Sequence, residues 1–368
     1  MLQVICTQCG SPYPKTGAPY RCSACGGLYD YDAFLYPLPD KWKNEHTHLP
    51  GIWCYREAFG LAANAPLISL GEGHTPLVWS EGFGRRVALK CEYLNPSGSF
   101  KDRGAATLVS FLLSRGVSEA IEDSSGNAGA AFGAYAARAG VRARIFMPAY
   151  TSGAKRRQID AYGSEAIALT GTRQDAADAA RRAAESGAVY ASHAYLPFVL
   201  PGYATAAYEI VEQLGYKAPG TVVVPAGQGN FLLALARGFE SMLRSGWIEQ
   251  MPRMIGVQAA ACAPLAAYAA GGMAALGHVL DNETLAEGVR VFQPVRLETV
   301  IQTVNTSNGT VLAVDEAAIL PARNQLARLG FYVEPTSALV WGALMQLAGN
   351  TPEPIVLVLT GSGLKTGG

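Results

Sequence analysis

From Val87 to the end of the chain, short apolar runs rich in β-branched residues alternate with segments of helical length and pattern. The runs "VALKCEY" from Val87, "EAIEDSS" from Glu119, "RARIFMP" from Arg142, "SEAIALT" from Ser164 and "VYAS" from Val189 read as strands. So do "TVVVPA" from Thr221, "RMIGVQAA" from Arg253 and "PIVLVLTG" from Pro354. Between them the pattern predicts helices over about 102–115, 127–139, 153–162, 174–185, 203–214, 231–243, 315–329 and 335–348. Strands that alternate with helices signal parallel sheets covered on both faces, which predicts an α/β fold. There are more such units than one ordinary sheet holds, so two α/β domains are expected. With no internal repeat and no low-complexity linker, these domains should exchange strands rather than hang on a tether.

The 368 residues suffice for two or three domains with a sizeable core. Lys plus Arg and Asp plus Glu cancel at 29 each, so no global field recruits nucleic acid or an anionic membrane. No apolar run is long enough to span a bilayer and no basic-then-apolar leader opens the chain, so a cytoplasmic location is expected.

Four of the seven cysteines are patterned. Cys6 and Cys9 form one C-x-x-C and Cys22 and Cys25 another, each followed by a glycine (Gly10, Gly26) that lets the backbone turn tightly. Two such knuckles give four thiolates, the tetrahedral set that zinc prefers, with no open position for catalysis. Iron fits the same four-sulfur site. Disulfides within adjacent knuckles would be strained, and nothing in the sequence points to an oxidising compartment. A structural zinc ribbon is therefore expected. Cys54, Cys91 and Cys262 read as small buried hydrophobes. The aromatic, proline-broken stretch from Tyr29 to Leu61 reads as an irregular arm with a short helix near Trp53–Phe59. His46 and His48, within it, have no cysteine or carboxylate partner nearby and read as loop histidines.

In parallel sheets, ligands bind where strands end and helices begin. Four such places have unusual composition. In "NPSGSFKDRG" (Asn95–Gly104), Lys101 falls at a helix start, where the macrodipole disfavours positive charge. An apolar setting there would favour the neutral amine, which can form a Schiff base; a solvated surface lysine is the bland alternative. In "SSGNAG" (Ser124–Gly129), small residues let backbone N–H groups face an anion such as a carboxylate, unless Ser or Asn only caps a helix. In "TVVVPAGQGN" (Thr221–Asn230), Gly227 and Gly229 stand between an apolar strand and a helix, as in a phosphate cradle or an ordinary tight turn. "VLTGSGLK" (Val358–Lys365) offers the hydroxyls of Thr360 and Ser362. An amine, a small-anion loop, a phosphate cradle and a hydroxyl are the parts that pyridoxal phosphate needs.

Together with "GEGHTPL" (Gly71–Leu77), "TLAEGVRV" (Thr284–Val291) and "VEPTSA" (Val333–Ala338), these motifs resemble the fold-type-II pyridoxal-phosphate enzymes. The nearest likeness is to the threonine synthase family, cysteate-synthase-like members included. The resemblance implies a two-domain, tryptophan-synthase-β-like fold with the four-cysteine ribbon at its start. It suggests a ribbon over 1–35, a large cofactor-binding domain over 36–100 and 206–368, and a small domain over 101–205. A homodimer is implied as well.

On this resemblance Lys101 holds the cofactor and later removes the α-proton of the amino-acid substrate. Asn127 meets the cofactor's 3-hydroxyl. Gly227, Gln228, Gly229 and Asn230 bind its phosphate. Thr360, with Ser362 as the fallback, faces the pyridine nitrogen. Ser124, Ser125 and Gly126 receive the substrate carboxylate, with Ser192 beside the substrate. A hydroxyl partner leaves the ring nitrogen largely unprotonated, which favours elimination and replacement over transamination.

The implied reaction converts O-phospho-L-homoserine to L-threonine and phosphate. The alternatives are β-replacement on O-phosphoserine or another activated serine, and dehydratase-type elimination from threonine or serine. The chain departs from the family where substrate phosphate is held. Ala191 stands at an asparagine position, Phe198 and Val199 near an arginine position, and Ala128 where threonine or serine is usual. The phosphate loop also looks one residue shorter. Loss of an arginine fork removes a strong bidentate phosphate contact, which Arg103, Lys155, Arg156 or Arg157 would have to replace.

Overall fold

The computed structural model describes residues 3–32, 49–59, 61–62, 64–151 and 153–366. His46 and His48 lie outside them. The chain opens with β1 (Val4–Cys6) antiparallel to β2 (Tyr29–Tyr31), then a 3-10 helix over Gly51–Phe59 that contains the short helix expected there. Next come β3 (Leu77–Gly82), β4 (Arg85–Lys90), α1 (Lys101–Ser114), β5 (Glu119–Glu122), α2 (Asn127–Ala139) and β6 (Arg142–Pro148). They are followed by α3 (Gly153–Ala161), β7 (Glu165–Leu169), α4 (Arg173–Glu185), α5 (Leu200–Gln213), β8 (Thr221–Pro225) and α6 (Asn230–Arg244). The chain continues through β9 (Arg253–Ala259), α7 (Pro264–Leu276), α8 (Leu297–Thr306), β10 (Thr310–Val314), α9 (Glu316–Arg328), α10 (Pro335–Leu344) and β11 (Ile355–Val358).

The described residues form two compact units. One lies within Met1–Gly73, Asn95–Tyr203 and Thr366–Gly368, the other within His74–Leu94 and Ala204–Lys365.

The first unit is built on a parallel sheet of order β5-β6-β7. Helix α2 can pack closely because its buried face is alanine and glycine; a Cβ on Gly133 would stand 2.7 Å from Ser164 Oγ. Helix α4 starts at a capping box, with Thr172 N donating to Asp175 Oδ2 at 2.6 Å and Asp175 N donating to Thr172 Oγ1 at 3.3 Å. The predicted strand "VYAS" is reduced to a single bridge between Tyr190 and Ile121. Ile121 exchanges both backbone bonds with Val189 and Ala191, each 2.8 Å. Ser192 then opens a turn, its carbonyl accepting from Leu196 N at 3.0 Å, so the ladder cannot continue.

The second unit carries a six-stranded sheet of order β10-β9-β8-β11-β4-β3, parallel except for β3, which pairs antiparallel with β4. Every residue of β8 and β11 is buried, as a central parallel strand requires. Val223, Val257, Ile355 and Leu357 pack with Leu339, Trp341 and Leu344 of α10 and with Ile319 and Leu326 of α9. All ten residues of α10 are buried, which explains why that helix shows no polar face.

Six of these elements went unseen in the sequence: β1, β2, β3, α7, α8 and β10. Gly271 and Gly272 interrupt α7 with non-helical backbone, Gly272 at φ 62°, and blur its periodicity. β3 and β10 are edge strands whose apolar faces are only partly buried, and their patterns are correspondingly weak.

A buried ion pair ties the sheet to a helix. Lys90 Nζ donates to Glu209 Oε2 at 2.7 Å, to Thr75 O at 2.8 Å and to Gln213 Oε1 at 3.0 Å, while Glu209 Oε1 accepts from His74 N at 2.8 Å. The two side chains are 0% and 2% exposed, so removing one charge strands the other away from water. Glu209→Ala should therefore lower unfolding free energy by about 3–5 kcal/mol in chemical denaturation. The double variant Lys90→Met/Glu209→Leu should recover most of that loss.

Candidate active site

Lys101 is the first residue of α1, and the turn before it is fixed by side chains. The carboxylate of Asp102 accepts from Ser97 N at 2.6 Å and also from Ser97 Oγ. Asn95 Oδ1 accepts from Gly73 N at 2.9 Å, and Gln158 Nε2 donates to Ser97 O at 3.0 Å. Lys101 is half-buried rather than solvated, with Nζ 4.9 Å from the Phe100 ring centroid and 5.8 Å from that of Tyr203.

The amine opens into a small cavity. Its apolar walls are Ala105, Leu108, Ala128, Phe132, Ala191 and Val199, and its polar groups are Lys101, Glu122, His193 and Tyr203. Glu122 ends β5 and is 1% exposed. Its Oε1 stands 2.6 Å from His193 Nδ1, while Oε2 has no hydrogen-bond partner. Burial pushes the Glu122 carboxyl up to about 8 against the opposing pull of the Lys101 charge. Burial, reinforced by Lys101, holds His193 well below the usual imidazole range. Asp123 is raised by burial and by Glu122. These three residues bring ligand atoms within 4.8 Å of one another. The neighbouring Lys101 charge opposes a cation at that spot.

The sequence reading missed Glu122 and His193. The available signal was an acidic pair, Glu122–Asp123, closing an apolar strand immediately before the small-residue loop.

That loop, Ser124–Asn127, leads into α2. Gly126 is the N-cap residue, and neither Ser nor Asn caps this helix through its side chain. Ser124 is buried and its Oγ accepts from Gly126 N at 3.3 Å; Ser125, Gly126 and Asn127 are partly exposed. Ser192 is fully buried, and its hydroxyl accepts from Ala194 N at 3.4 Å, shaping the turn that carries His193.

Of the positions at which the resemblance expects other residues, Ala128, Ala191 and Val199 reach the cavity wall. Phe198 instead stacks on Phe111, with ring centroids 3.5 Å apart. Arg103 is fully buried and Arg156 pairs with Asp160 at 3.0 Å; neither lines the cavity.

In the second unit, Gly227–Asn230 forms the turn from β8 into α6. Gly229 is the N-cap residue at φ 77°, and again no side chain caps the helix. A Cβ on Gly227 would lie 2.9 Å from Gly288 O, and one on Gly229 would lie 2.7 Å from a Val300 methyl. Gln228 Oε1 accepts from Val295 N at 3.0 Å. Thr360 is 2% exposed and its Oγ1 is 3.0 Å from Ser337 Oγ, which also donates to Gly361 O and accepts from Gly361 N at 2.7 Å. Ser362 Oγ accepts from Leu364 N at 3.3 Å.

The four patterned cysteines converge near the N-terminus, with Cys6 and Cys25 Sγ 3.4 Å apart and Cys9 and Cys22 Sγ 3.7 Å apart. All four ligand atoms fall within 4.8 Å of one another, and none is in a disulfide. Each knuckle closes with a glycine N–H donating to a cysteine carbonyl, Gly10 to Cys6 at 2.9 Å and Gly26 to Cys22 at 2.8 Å. Cys54, Cys91 and Cys262 are buried, as expected. The ribbon docks through rings: Tyr13 lies 5.0 Å from Phe198, and Tyr20 lies 5.1 Å from Tyr190 and 5.3 Å from Tyr195.

Residues 68–361 match the model of the family described as pyridoxal-phosphate dependent enzyme. The chain is 30% identical over 380 aligned residues to the threonine synthase of Methanosarcina acetivorans, covering 99% of this chain and 92% of that protein. It is 32% identical to that of Methanocaldococcus jannaschii, covering 98% and 92%. The chain belongs to the threonine synthase family of pyridoxal-phosphate-dependent enzymes. Among solved structures, the threonine deaminase of T.th. superposes with a TM-score of 0.68 at 28% identity, covering 80% of this chain and 94% of that one. Maize serine racemase shares the fold, with a TM-score of 0.68 at 23% identity over 78% of this chain and 88% of that one. As a member of this family the chain is a pyridoxal-phosphate-dependent enzyme of fold type II with mixed α/β sheets. Among the described residues, no helix is long and apolar enough to cross a membrane.

The loop before α2 leaves no room for a side chain at Gly129, where a Cβ would stand 1.8 Å from Ser124 O. Gly129→Ala should displace Ser124–Asn127 and cost about 1–3 kcal/mol, read as a lowered melting temperature. The variant should also weaken binding of amino-acid substrates.

Proposed function

We propose that this enzyme converts O-phospho-L-homoserine to L-threonine and phosphate, as a cytoplasmic homodimer carrying pyridoxal phosphate and a structural zinc ion. The observation that carries the reading is the match to threonine synthases along 99% of the chain. When bound, the cofactor would supply an electron sink for the substrate's carbanion.

The residues present fit that group. Lys101 would hold its aldehyde carbon and afterwards move the α-proton; a half-buried amine beside two aromatic rings suits both tasks. Gly227, Gln228, Gly229 and Asn230 would bind its phosphate through backbone N–H groups. The absence of a capping side chain on α6 and the close packing that bars a Cβ at Gly227 and Gly229 support this assignment. Asn127 would meet the 3-hydroxyl. Thr360 would face the ring nitrogen, with Ser362 as the second choice. Ser124, Ser125 and Gly126 would orient the substrate carboxylate at the uncapped start of α2, with Ser192 shaping the adjoining turn.

Zinc is supported by sulfur geometry. Ligands at about 2.3 Å in a tetrahedron stand about 3.8 Å apart, and the 3.4 and 3.7 Å separations approach that edge. The ribbon's four ligands leave no open position, so its role would be structural.

Lys101→Ala should abolish both turnover and the visible absorbance of bound cofactor; a variant that keeps either refutes the assignment. Released phosphate and L-threonine should appear together from O-phospho-L-homoserine. Rapid turnover of O-phosphoserine, O-acetylserine or threonine in its place would redirect the reading to β-replacement or dehydration.

Cys22→Ser should release zinc, measured by metal analysis, and destabilise the N-terminal module. Cofactor absorbance should survive that change.

A further inference from the structure

The cavity beside Lys101 combines a missing contact with a spare one. Where the resemblance expects an asparagine and, near by, an arginine for a substrate phosphate, this wall carries Ala191 and Val199, which offer no side-chain hydrogen bond. On the same wall, Glu122 is 1% exposed, and its Oε2 makes no hydrogen bond of good geometry, although the backbone N–H groups of His193 and Asp123 lie near the carboxyl. A buried polar atom without a partner is costly unless a ligand supplies one. His193 holds the other oxygen, 2.6 Å from its Nδ1, and so fixes the direction in which Oε2 faces.

We propose that Glu122, oriented by His193, is a substrate-binding and specificity-determining residue, whose protonated Oε2 donates a hydrogen bond to the distal phosphate of the substrate where Ala191 and Val199 provide no donor. This rests on the reaction proposed above. His193 is a positioning residue in this scheme: its Nδ1–H donates to Oε1, which leaves the carboxyl proton on Oε2.

The charge state follows from the surroundings. Glu122 is faced by Lys101 on α1, Asp123 on its own segment, Arg173 on α4, Tyr190 and His193 on the turn after α4, and Tyr203 on α5. Burial outweighs the Lys101 and Arg173 charges and the backbone N–H groups of His193 and Asp123, and pushes the carboxyl up to about 8. Below that value the group donates to an oxyanion. Above it, the same group becomes a carboxylate and repels one. An amide in its place would donate at every pH.

The test uses the holoenzyme and inorganic sulfate, which remains a dianion throughout, with affinity measured by calorimetry between about pH 7 and pH 10. Wild-type affinity should fall about tenfold for each pH unit above the Glu122 midpoint. Glu122→Gln should bind sulfate with little pH dependence, and Glu122→Ala should bind weakly at all pH values. KM for O-phospho-L-homoserine should follow the same three courses, with a smaller effect on kcat. Wild-type sulfate affinity that stays level to the top of the range overturns the proposal without recourse to any variant. A Glu122→Gln enzyme that tracks the wild-type pH course overturns it as well. Failure of the wild type to turn over O-phospho-L-homoserine at any pH would sink the proposed reaction instead, and the sulfate titration would still report on Glu122.

Discussion

Two helices of this protein, α2 and α6, begin without a side-chain cap, each at a glycine that follows a parallel strand. A helix start leaves backbone N–H groups unsatisfied, and a chain normally satisfies them with Ser, Thr, Asp or Asn. Helix α4, remote from these loops in sequence, is capped by Thr172 in the usual way. Helices α1, α7, α8, α9 and α10 also start without a side-chain cap, so what sets α2 and α6 apart is glycine at the N-cap position. These glycine starts follow from a parallel sheet that must return through a helix after each strand, and from small residues at those junctions. The assignment of anions to these two loops depends on that shared feature.

The chemistry near Lys101 depends on a different balance. The cavity wall is mostly alanine, leucine, valine and phenylalanine, so the few polar groups there interact in a medium that screens them poorly. In that medium burial dominates over charge pairing: the Glu122 carboxyl is pushed up to about 8 although a lysine shares its cavity. The same burial keeps His193 neutral. A carboxyl raised by burial and an imidazole lowered by it thus face the Lys101 side chain across an apolar wall.

The N-terminal four-cysteine segment packs on its unit through aromatic rings. Its Tyr13 and Tyr20 pack on Phe198, Tyr190 and Tyr195, and Arg115 Nη1 donates to Pro14 O at 2.8 Å. These partners flank the turn that carries His193 and the end of the helix that begins at Lys101. Phe198 thus serves as a docking ring for the N-terminal segment.

The sequence by itself determined the α/β class, most of the central strands and helices, the four-sulfur cluster and the glycine-rich turns at the strand ends. Each of these is written in local pattern: period, glycine placement or cysteine spacing. It misjudged "VYAS", because a strand needs a partner along its whole length and Ser192 turns away after one bridge. It overlooked α7, interrupted by two glycines, and the weakly patterned edge strands. Only the tertiary structure decided that Glu122 and His193, 71 residues apart, share one cavity with Lys101, and that Ala191 and Val199 line its wall. Ionisation and ligand preference are set by burial and by neighbours distant in sequence, and those come into being only when the chain is packed.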